Sequence, residues 1–181
     1  MACSLLLFNV MEVIHLIEAV HLDWDSTVNK NPRDSHLKPS WDRYVESIAP
    51  KADSVLVYFS AYPANPWHSD EGDNFPIDAV KREINRREYY YELLGGRFIF
   101  FPVSDIPRLD IQDLRNQFIM RDFTLNPRNL NLVAFGEYKE YCVEAWMRET
   151  QRSLELDNAN CRIEHSLSLS YHQARTPQSP L

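Results

Sequence analysis

The stretch AVHLDWDSTV, residues 19–28, joins a mostly apolar run to two acids, Asp23 and Asp25, that stand one residue apart. A short apolar run that ends at polar residues predicts a buried β-strand, here over residues 19–22. In sheets of parallel strands, ligands bind beyond the carboxyl ends of the strands. Asp23 and Asp25 would follow such an end directly, so we predict that a functional site gathers around them.

The sequence on the C-terminal side of this stretch alternates between strand and helix patterns. Further buried strands are predicted at residues 54–59, 97–103, 130–135 and 161–169. Helices are predicted at residues 40–49, 77–94, 111–121 and 138–156. Such alternation places parallel strands in one sheet with helices on both faces. The sequence therefore predicts a Rossmann-like α/β three-layer sandwich with a mostly parallel five-stranded sheet.

The length of the chain, 181 residues, fits one domain with a single core. We predict an apolar N-terminal extension over residues 1–18, a single α/β domain over residues 19–172 and a disordered tail over residues 173–181. Residues 61–76 are rich in prolines and acids. Such an irregular stretch predicts a long surface loop, which we expect to lie over the crevice at the strand ends.

The net charge and the cysteines indicate which partners the protein binds and which compartment it occupies. The net charge is −7 and the pI about 5.3, which disfavours binding to nucleic-acid phosphates or to anionic lipid. We therefore expect no membrane association and no nucleic-acid partner. Cys3, Cys142 and Cys161 are odd in number and contain no CxxC pair. That pattern predicts reduced thiols in a cytoplasmic protein, with neither a disulfide framework nor a structural zinc site.

The motif DWDST, residues 23–27, resembles the first motif of the haloacid dehalogenase-like (HAD) superfamily, DxDxT after a strand. The resemblance implies that Asp23 is the nucleophile, that Asp25 is the general acid and that both are magnesium ligands. A carboxylate at a strand end is placed to attack phosphorus, while a second one can protonate the leaving oxygen. Ser60 ends the second predicted strand, as in the superfamily's second motif, and would bind a phosphoryl oxygen. The alternative is a local turn in which the Asp and Ser side chains bond their own backbone.

Two later motifs of the HAD superfamily depart from its pattern. A lysine is expected after the third strand, where residues 103–114 offer only Arg108. A Gly-Asp motif is expected after the fourth strand, where this chain has GEYKE, residues 136–140, so Glu137 and Glu140 become the predicted Mg²⁺ ligands. The short link between the first two motifs implies an open site without a large cap. The resemblance thus implies a magnesium-dependent phosphoester hydrolase for a bulky or macromolecular phosphorylated substrate, acting through an aspartyl-phosphate.

The segment GEYKEYCVEA, residues 136–145, is also similar to the nucleophile segment of isochorismatase-like cysteine hydrolases, which include nicotinamidases. The resemblance implies that Cys142 is the nucleophile, Asp23 its base and His68 a metal ligand. A helix N-terminus lowers the pKa of a thiol, which suits this placement. The family's lysine is expected near residues 101–104, which contain none. The alternative is a buried helix cysteine without a chemical role.

Two further interpretations use the same acids. A PIN-like (NYN-type) nuclease would hold metal ions with Asp23, Asp122 and either Glu137 or Glu140. A catalytically degraded domain would keep the fold, lack the lysine and the second acidic motif, and act as a binding module.

The predicted helix over residues 77–94 contains a charged run and a tyrosine triplet. Residues 81–87 predict a solvated helix face. The triplet Tyr89, Tyr90 and Tyr91 predicts core and rim packing of the same helix.

Overall fold

The computed structural model describes residues 14–22, 38–60, 77–102, 111–120 and 130–170. The strands within them are β1 Ile14–Val20, β2 Ser54–Ser60, β3 Phe98–Pro102, β4 Leu130–Glu137 and β5 Cys161–Leu169. The α-helices are α1 Lys38–Ile48, α2 Ile77–Leu94, α3 Ile111–Ile119 and α4 Glu144–Ser153, and a π-helical turn, Lys139–Val143, precedes α4. None of the helices in these segments is long and apolar enough to cross a membrane. The predicted disordered tail, residues 173–181, lies outside the described residues.

The five strands form one all-parallel sheet in the order β3-β2-β1-β4-β5. The chain moves outward from β1 to β3, then crosses back to β4 on the other side of β1 and continues to β5. The predicted Rossmann-like α/β fold is confirmed, with β1 at the centre. The order reverses between β1 and β4, and this is where an open parallel sheet forms its ligand crevice.

Alternate side chains of the sheet supply two hydrophobic clusters, one on each face. α1 and α2 cover one face, where Trp41 and Tyr90 are fully buried. α3 and α4 cover the other, where Phe118 and Trp146 are buried. Phe59 of β2 stacks on Trp146 with ring centroids 4.3 Å apart. Each such aromatic contributes roughly 1.5–3 kcal/mol through the apolar surface it buries, so both helical layers are anchored to the sheet.

The first strand begins earlier than the sequence predicts. The prediction covers residues 19–22, whereas β1 is Ile14–Val20 and the chain turns at His21, whose φ is +50°. Polar His15 and Glu18 obscure the strand in the sequence, because central parallel strands usually show an unbroken apolar run. β1 therefore starts inside the segment assigned to the N-terminal extension, and the boundary at residue 18 falls within the strand.

The charged run on α2 is only partly the solvated face that the sequence predicts, since Lys81, Arg82 and Asn85 are exposed while other members face the protein. Glu83 is fully buried, and the side chains of Arg86 and Arg87 are only 10% and 11% exposed. Arg87 pairs with Glu83 of the same run, and the Arg86 and Arg87 guanidinium groups lie over the rings of Trp41 and Phe100. A count of charged residues cannot reveal such contacts. The tyrosine prediction is confirmed, since Tyr90 is fully buried and Tyr91 is 60% exposed.

Candidate functional site

The ends of β2, β1 and β4 lie side by side at the carboxyl edge of the sheet. Val20 of β1 pairs with Phe59 of β2 and with Gly136 of β4. One residue further along, the three strands lead to Ser60 of β2, His21 after β1 and Glu137 of β4. These three residues form the last row at this edge of the sheet. The backbone N–H of His21 donates to the Phe59 carbonyl at 2.8 Å, which ties the exit of β1 to β2.

Gly136 allows β1 and β4 to approach closely at this row. Its φ is +129°, and a Cβ built there would lie 2.1 Å from the Val20 carbonyl oxygen. No other residue type fits that conformation and that contact together. The glycine therefore fixes where the chain leaves β4, directly before Glu137.

Ser60, predicted to bind a phosphoryl oxygen, is almost fully buried at the end of β2. Near it lies Glu83 of α2, whose carboxylate oxygen is 3.4 Å from Arg87 Nε. Burial raises the pKa of Glu83 to about 7, against the lowering influence of Arg87 and Ser60. The sequence did not single out Glu83, because nothing in a helical charge run marks the one acid that faces the sheet.

Glu137, a predicted magnesium ligand, is fully buried. It shares a face of β4 with Val133 and Phe135, which belong to the cluster under α1 and α2. Its negative charge stabilises the protonated form of Arg86 on α2. Its carboxylate is thus enclosed on the side of the sheet that α1 and α2 cover.

Glu140, the other described magnesium candidate, lies in the π-helical turn. Its carboxylate accepts a hydrogen bond from the Ser170 hydroxyl at 2.6 Å and lies 3.5 Å from the Lys139 ammonium. Among the described residues, no three His, Cys, Asp or Glu side chains gather where they could hold a metal ion. Magnesium binding stays a prediction, because Asp23 and Asp25 lie outside the described residues.

Cys142 lies in the turn that carries the chain from β4 into α4; we call residues 138–143 the Cys142 turn. Its half-buried side chain packs against the cluster under α3 and α4, on the opposite face from Glu137. Burial raises the pKa of the Cys142 thiol, and the charge of Glu137 raises it further. The backbone N–H groups of Tyr138 and of Cys142 itself donate towards the sulfur and lower the pKa. The two backbone groups lower the pKa of the thiol, as expected at a helix N-terminus, but burial raises it by more.

The backbone of Tyr138 closes the Cys142 turn. The Tyr138 carbonyl accepts hydrogen bonds from the N–H groups of Tyr141 and Val143, each at 3.1 Å. The Tyr138 N–H also lowers the pKa of the Cys142 thiol. The turn thus presents one thiol and two backbone donors at the carboxyl end of β4, beside the exit of β1.

Two titratable groups on or next to β1, the half-buried His21 and the fully buried Glu18, were not anticipated from the sequence. Burial lowers the pKa of His21 to about 4, so the imidazole is neutral at pH 7. Burial raises the pKa of Glu18 to about 8, although the nearby Thr150 hydroxyl lowers it. The sequence could have predicted the burial of Glu18. An acid within an apolar run is enclosed by both helical layers if that run forms the central strand of the sheet.

Several predicted site residues lie outside the described residues. These are Asp23, Asp25, His68, Arg108 and Asp122. The described chain ends at Leu22 on the site side of β1, one residue before Asp23.

Comparison with protein-family models, with curated proteins and with solved structures returns no match. Function therefore rests on the geometry of the carboxyl edge and on the motifs that lie there.

Proposed function

We propose that this chain is a cysteine hydrolase in which the Cys142 thiol attacks an acyl carbonyl carbon, such as that of a carboxamide. The observation that carries the proposal is the position of Cys142 in a tight turn at the carboxyl end of β4, closed by the N–H groups of Tyr141 and Val143 on the Tyr138 carbonyl. The backbone N–H groups of Tyr138 and Cys142 lower the pKa of the thiol. A carbonyl attacked by that sulfur develops its negative charge within reach of the same donors, as in an oxyanion hole. The similarity of residues 136–145 to isochorismatase-like hydrolases supports the same role.

The thiol requires a base, because burial keeps it protonated at neutral pH. Asp23 is the base that the resemblance implies, and it follows Leu22 at the exit of β1. β1 and β4 are hydrogen-bonded neighbours, so the two chain ends leave the sheet side by side. In the proposed step the sulfur bonds to the acyl carbon, and the thiol proton passes to Asp23 and on to the leaving amine. Water then hydrolyses the thioester.

The missing lysine sets an expectation for the kinetics. β3 has the sequence FIFFP and contributes no cation at the edge where the family's lysine is expected. Loss of one member of a catalytic group usually slows turnover by orders of magnitude while binding and oxyanion stabilisation persist. We therefore expect acylation of Cys142 to be faster than release of the acyl group.

An activated ester tests this expectation directly. Mixed with p-nitrophenyl acetate, the protein is expected to release a burst of about one equivalent of nitrophenolate, followed by slower turnover. Mass spectrometry of peptides should place the acetyl group on Cys142. The Cys142→Ala variant should lose the burst, and Asp23→Asn should slow it by about tenfold or more.

Cys161→Ala is the matched control for the burst experiment. Cys161 is also partly buried, and burial together with Glu18 and Asp157 raises its pKa to about 11. Its removal should leave the burst unchanged. An unmodified Cys142 in the wild-type protein would contradict the proposal and favour a binding module without catalysis.

A second candidate is the magnesium-dependent phosphoester hydrolase. It is favoured by the position of Ser60 and Glu137, which flank the exit of the strand that leads to Asp23. It ranks second because Glu137 is buried beside Arg86 and because Glu140 bonds to Ser170.

Aryl phosphate hydrolysis separates this candidate from the cysteine hydrolase. A phosphatase should release nitrophenol from p-nitrophenyl phosphate only with Mg²⁺, and Asp23→Asn should abolish the release. Cys142→Ala should have no effect on it. Release that depends on Cys142, or that is indifferent to Mg²⁺, would count against the phosphatase.

A further inference from the structure

We infer that a second copy of this chain docks on the outer edge of the sheet, where β3 pairs antiparallel with its own copy across a two-fold axis. The inference goes beyond the proposed function, because β3 is the outermost strand on one side of β1 and the Cys142 turn follows β4 on the other. The partner is identified by three features of this edge: an open strand, an aromatic groove and one charge of each sign.

The first feature is the open side of β3. Within the described segments β3 pairs with β2 and ends the sheet, so its other side offers backbone N–H and C=O groups to a further strand. Charged side chains, bulges and internal prolines usually prevent such pairing. The sequence of β3, FIFFP, contains no charge, and its proline is the last residue. This edge is therefore suited to accept another strand.

The opposite edge of the sheet is protected in the way that β3 is not. β5 has the sequence CRIEHSLSL, in which Arg162, Glu164 and His165 carry or can carry charge. Its pairing with β4 also shifts register between Ala134 and Gly136. Charges and register irregularities disfavour pairing with another chain, so docking is expected on β3 and not on β5.

The second feature is a groove between β3 and α2, which we call the β3 groove. Its volume is about 330 Å³, and it is lined by Ile84, Arg87, Glu88, Tyr91, Phe98 and Phe100. Tyr91 is 60% exposed, and its ring meets that of Phe98 edge-on with centroids 6.5 Å apart. Exposed aromatic side chains beside an apolar groove are typical of the core of a protein interface.

The third feature is a pair of opposite charges in the β3 groove. Arg87 is held from two sides, since its Nε lies 3.4 Å from the fully buried Glu83 carboxylate and its guanidinium lies 4.2 Å from the Phe100 ring centroid. Glu88 is the next residue and is exposed. The groove thus presents a fixed cation beside an anion that is free to reorient. An arginine already held in one conformation loses little entropy when it meets a partner.

A two-fold axis at the middle of β3 makes these features complementary to themselves. It sets Phe100 opposite Phe100 of the second copy, as a cross-strand aromatic pair. Antiparallel pairing keeps the same face of both sheets on one side, so the two α2 helices run alongside each other. Because Arg87 lies over Phe100, it is close to the axis, and it meets Glu88 of the second copy. An interface between identical copies requires this reciprocity of opposite charges.

The mass of the protein in solution is the first test, measured by size-exclusion chromatography with light scattering. We expect a dimer of about 43 kDa, twice the 21.3 kDa of the chain, at a concentration of about 50 µM. A wild type that is monomeric at this concentration overturns the inference and leaves the β3 groove to a different protein.

Tyr91→Glu tests whether the groove is the interface. The substitution places a charge among apolar side chains that the second copy covers, and we expect it to weaken dimerisation by about tenfold or more. Met120→Glu is the matched control, since Met120 is 69% exposed and lies outside the groove. It adds the same charge and should leave the dimer intact. Equal weakening by the two variants overturns the inference.

Glu88→Lys tests the reciprocal charges. It turns both contacts between Arg87 and Glu88 into repulsions, so we expect dimerisation to weaken by about tenfold. Glu92→Lys makes the same change of net charge at an exposed position one turn further along α2, outside the groove. It should dimerise like the wild type, and an equal effect of both variants contradicts the proposed pairing. Thermal unfolding confirms that each variant is folded.

Hydrogen exchange decides whether β3 itself is paired. The amides of residues 98–101 that face away from β2 should exchange more slowly at about 100 µM than at about 1 µM, because dimerisation gives them acceptors. The amides of β5 should exchange equally at both concentrations. A dimer whose β3 amides are indifferent to concentration overturns the inference, since its copies then meet on another surface.

Discussion

At the scale of single residues, the described core is unusual in burying glutamates. Glu18, Glu83 and Glu137 are all fully buried, and they sit in or against the central strands. Burial raises the pKa of Glu18 to about 8 and that of Glu83 to about 7. Such groups lower the stability of a fold at neutral pH unless they are paired, so their presence points to a role or to a tolerated cost.

Glu18→Gln should stabilise the protein, and the gain should grow with pH. Below about pH 4.5 the carboxyl is protonated in both folded and unfolded chains. Between pH 4.5 and about 8 only the unfolded chain ionises, so the wild type loses stability as pH rises through this window. Glutamine does not ionise, and the difference in unfolding free energy should widen by about 1.4 kcal/mol per pH unit.

Urea unfolding at pH 6, 7 and 8 measures this widening. Glu92→Gln, at an exposed position of α2, is the control and should show a constant difference across the range. A Glu18→Gln difference that is also constant would mean that Glu18 ionises normally in the folded protein.

At the scale of elements, the junction from β4 to α4 determines the site. The sequence predicts one helix over residues 138–156, whereas the structure has a π-helical turn, Lys139–Val143, followed by α4, Glu144–Ser153. The difference matters because the turn, with the Tyr138 carbonyl accepting two N–H groups, holds Cys142 at the carboxyl end of β4. Helical periodicity detects the apolar face of this segment but not how its first turn closes.

Gly136→Ala should be the most damaging small substitution in this junction. A methyl group would meet the Val20 backbone at 2.1 Å in a left-handed conformation, so β1 and β4 would have to separate. We expect a loss of about 3 kcal/mol or more of unfolding free energy.

Gly96→Ala is the matched control for this substitution, since nothing lies within 4 Å of a Cβ built at Gly96. It should change the free energy by less than about 1 kcal/mol. Denaturant unfolding of both variants measures the contrast. Equal losses would show that the contact between Gly136 and Val20 is not a constraint.

At the scale of the whole molecule, the sheet order decides where a ligand crevice is expected. Because β1 lies between β2 and β4, residues far apart in sequence, Ser60, His21 and Glu137, end in one row. The same order puts the helices on two faces, so that Cys142 and Glu137, five residues apart, face different helical layers. A site of this kind cannot be assembled from any single segment.

The sequence by itself determined the fold class and the parallel sheet, and from these it predicts the edge at which a site would form. Alternating strand and helix patterns were sufficient for this, because the spacing of apolar residues within one segment already indicates whether that segment is a strand or a helix. The positions of Ser60, Glu137 and Cys142 at that edge followed from the same patterns. The roles of Asp23 and Asp25 stay predictions.

Only the tertiary structure decided which polar residues are buried and what they face. The charged run of α2 places Glu83 and Arg86 against the sheet, and β1 includes Glu18 in the core. The donors at Cys142 depend on the closing geometry of one turn. The physical reason is that burial and pairing of charges depend on contacts between segments distant in sequence, whereas periodicity reports only which face of a segment is apolar.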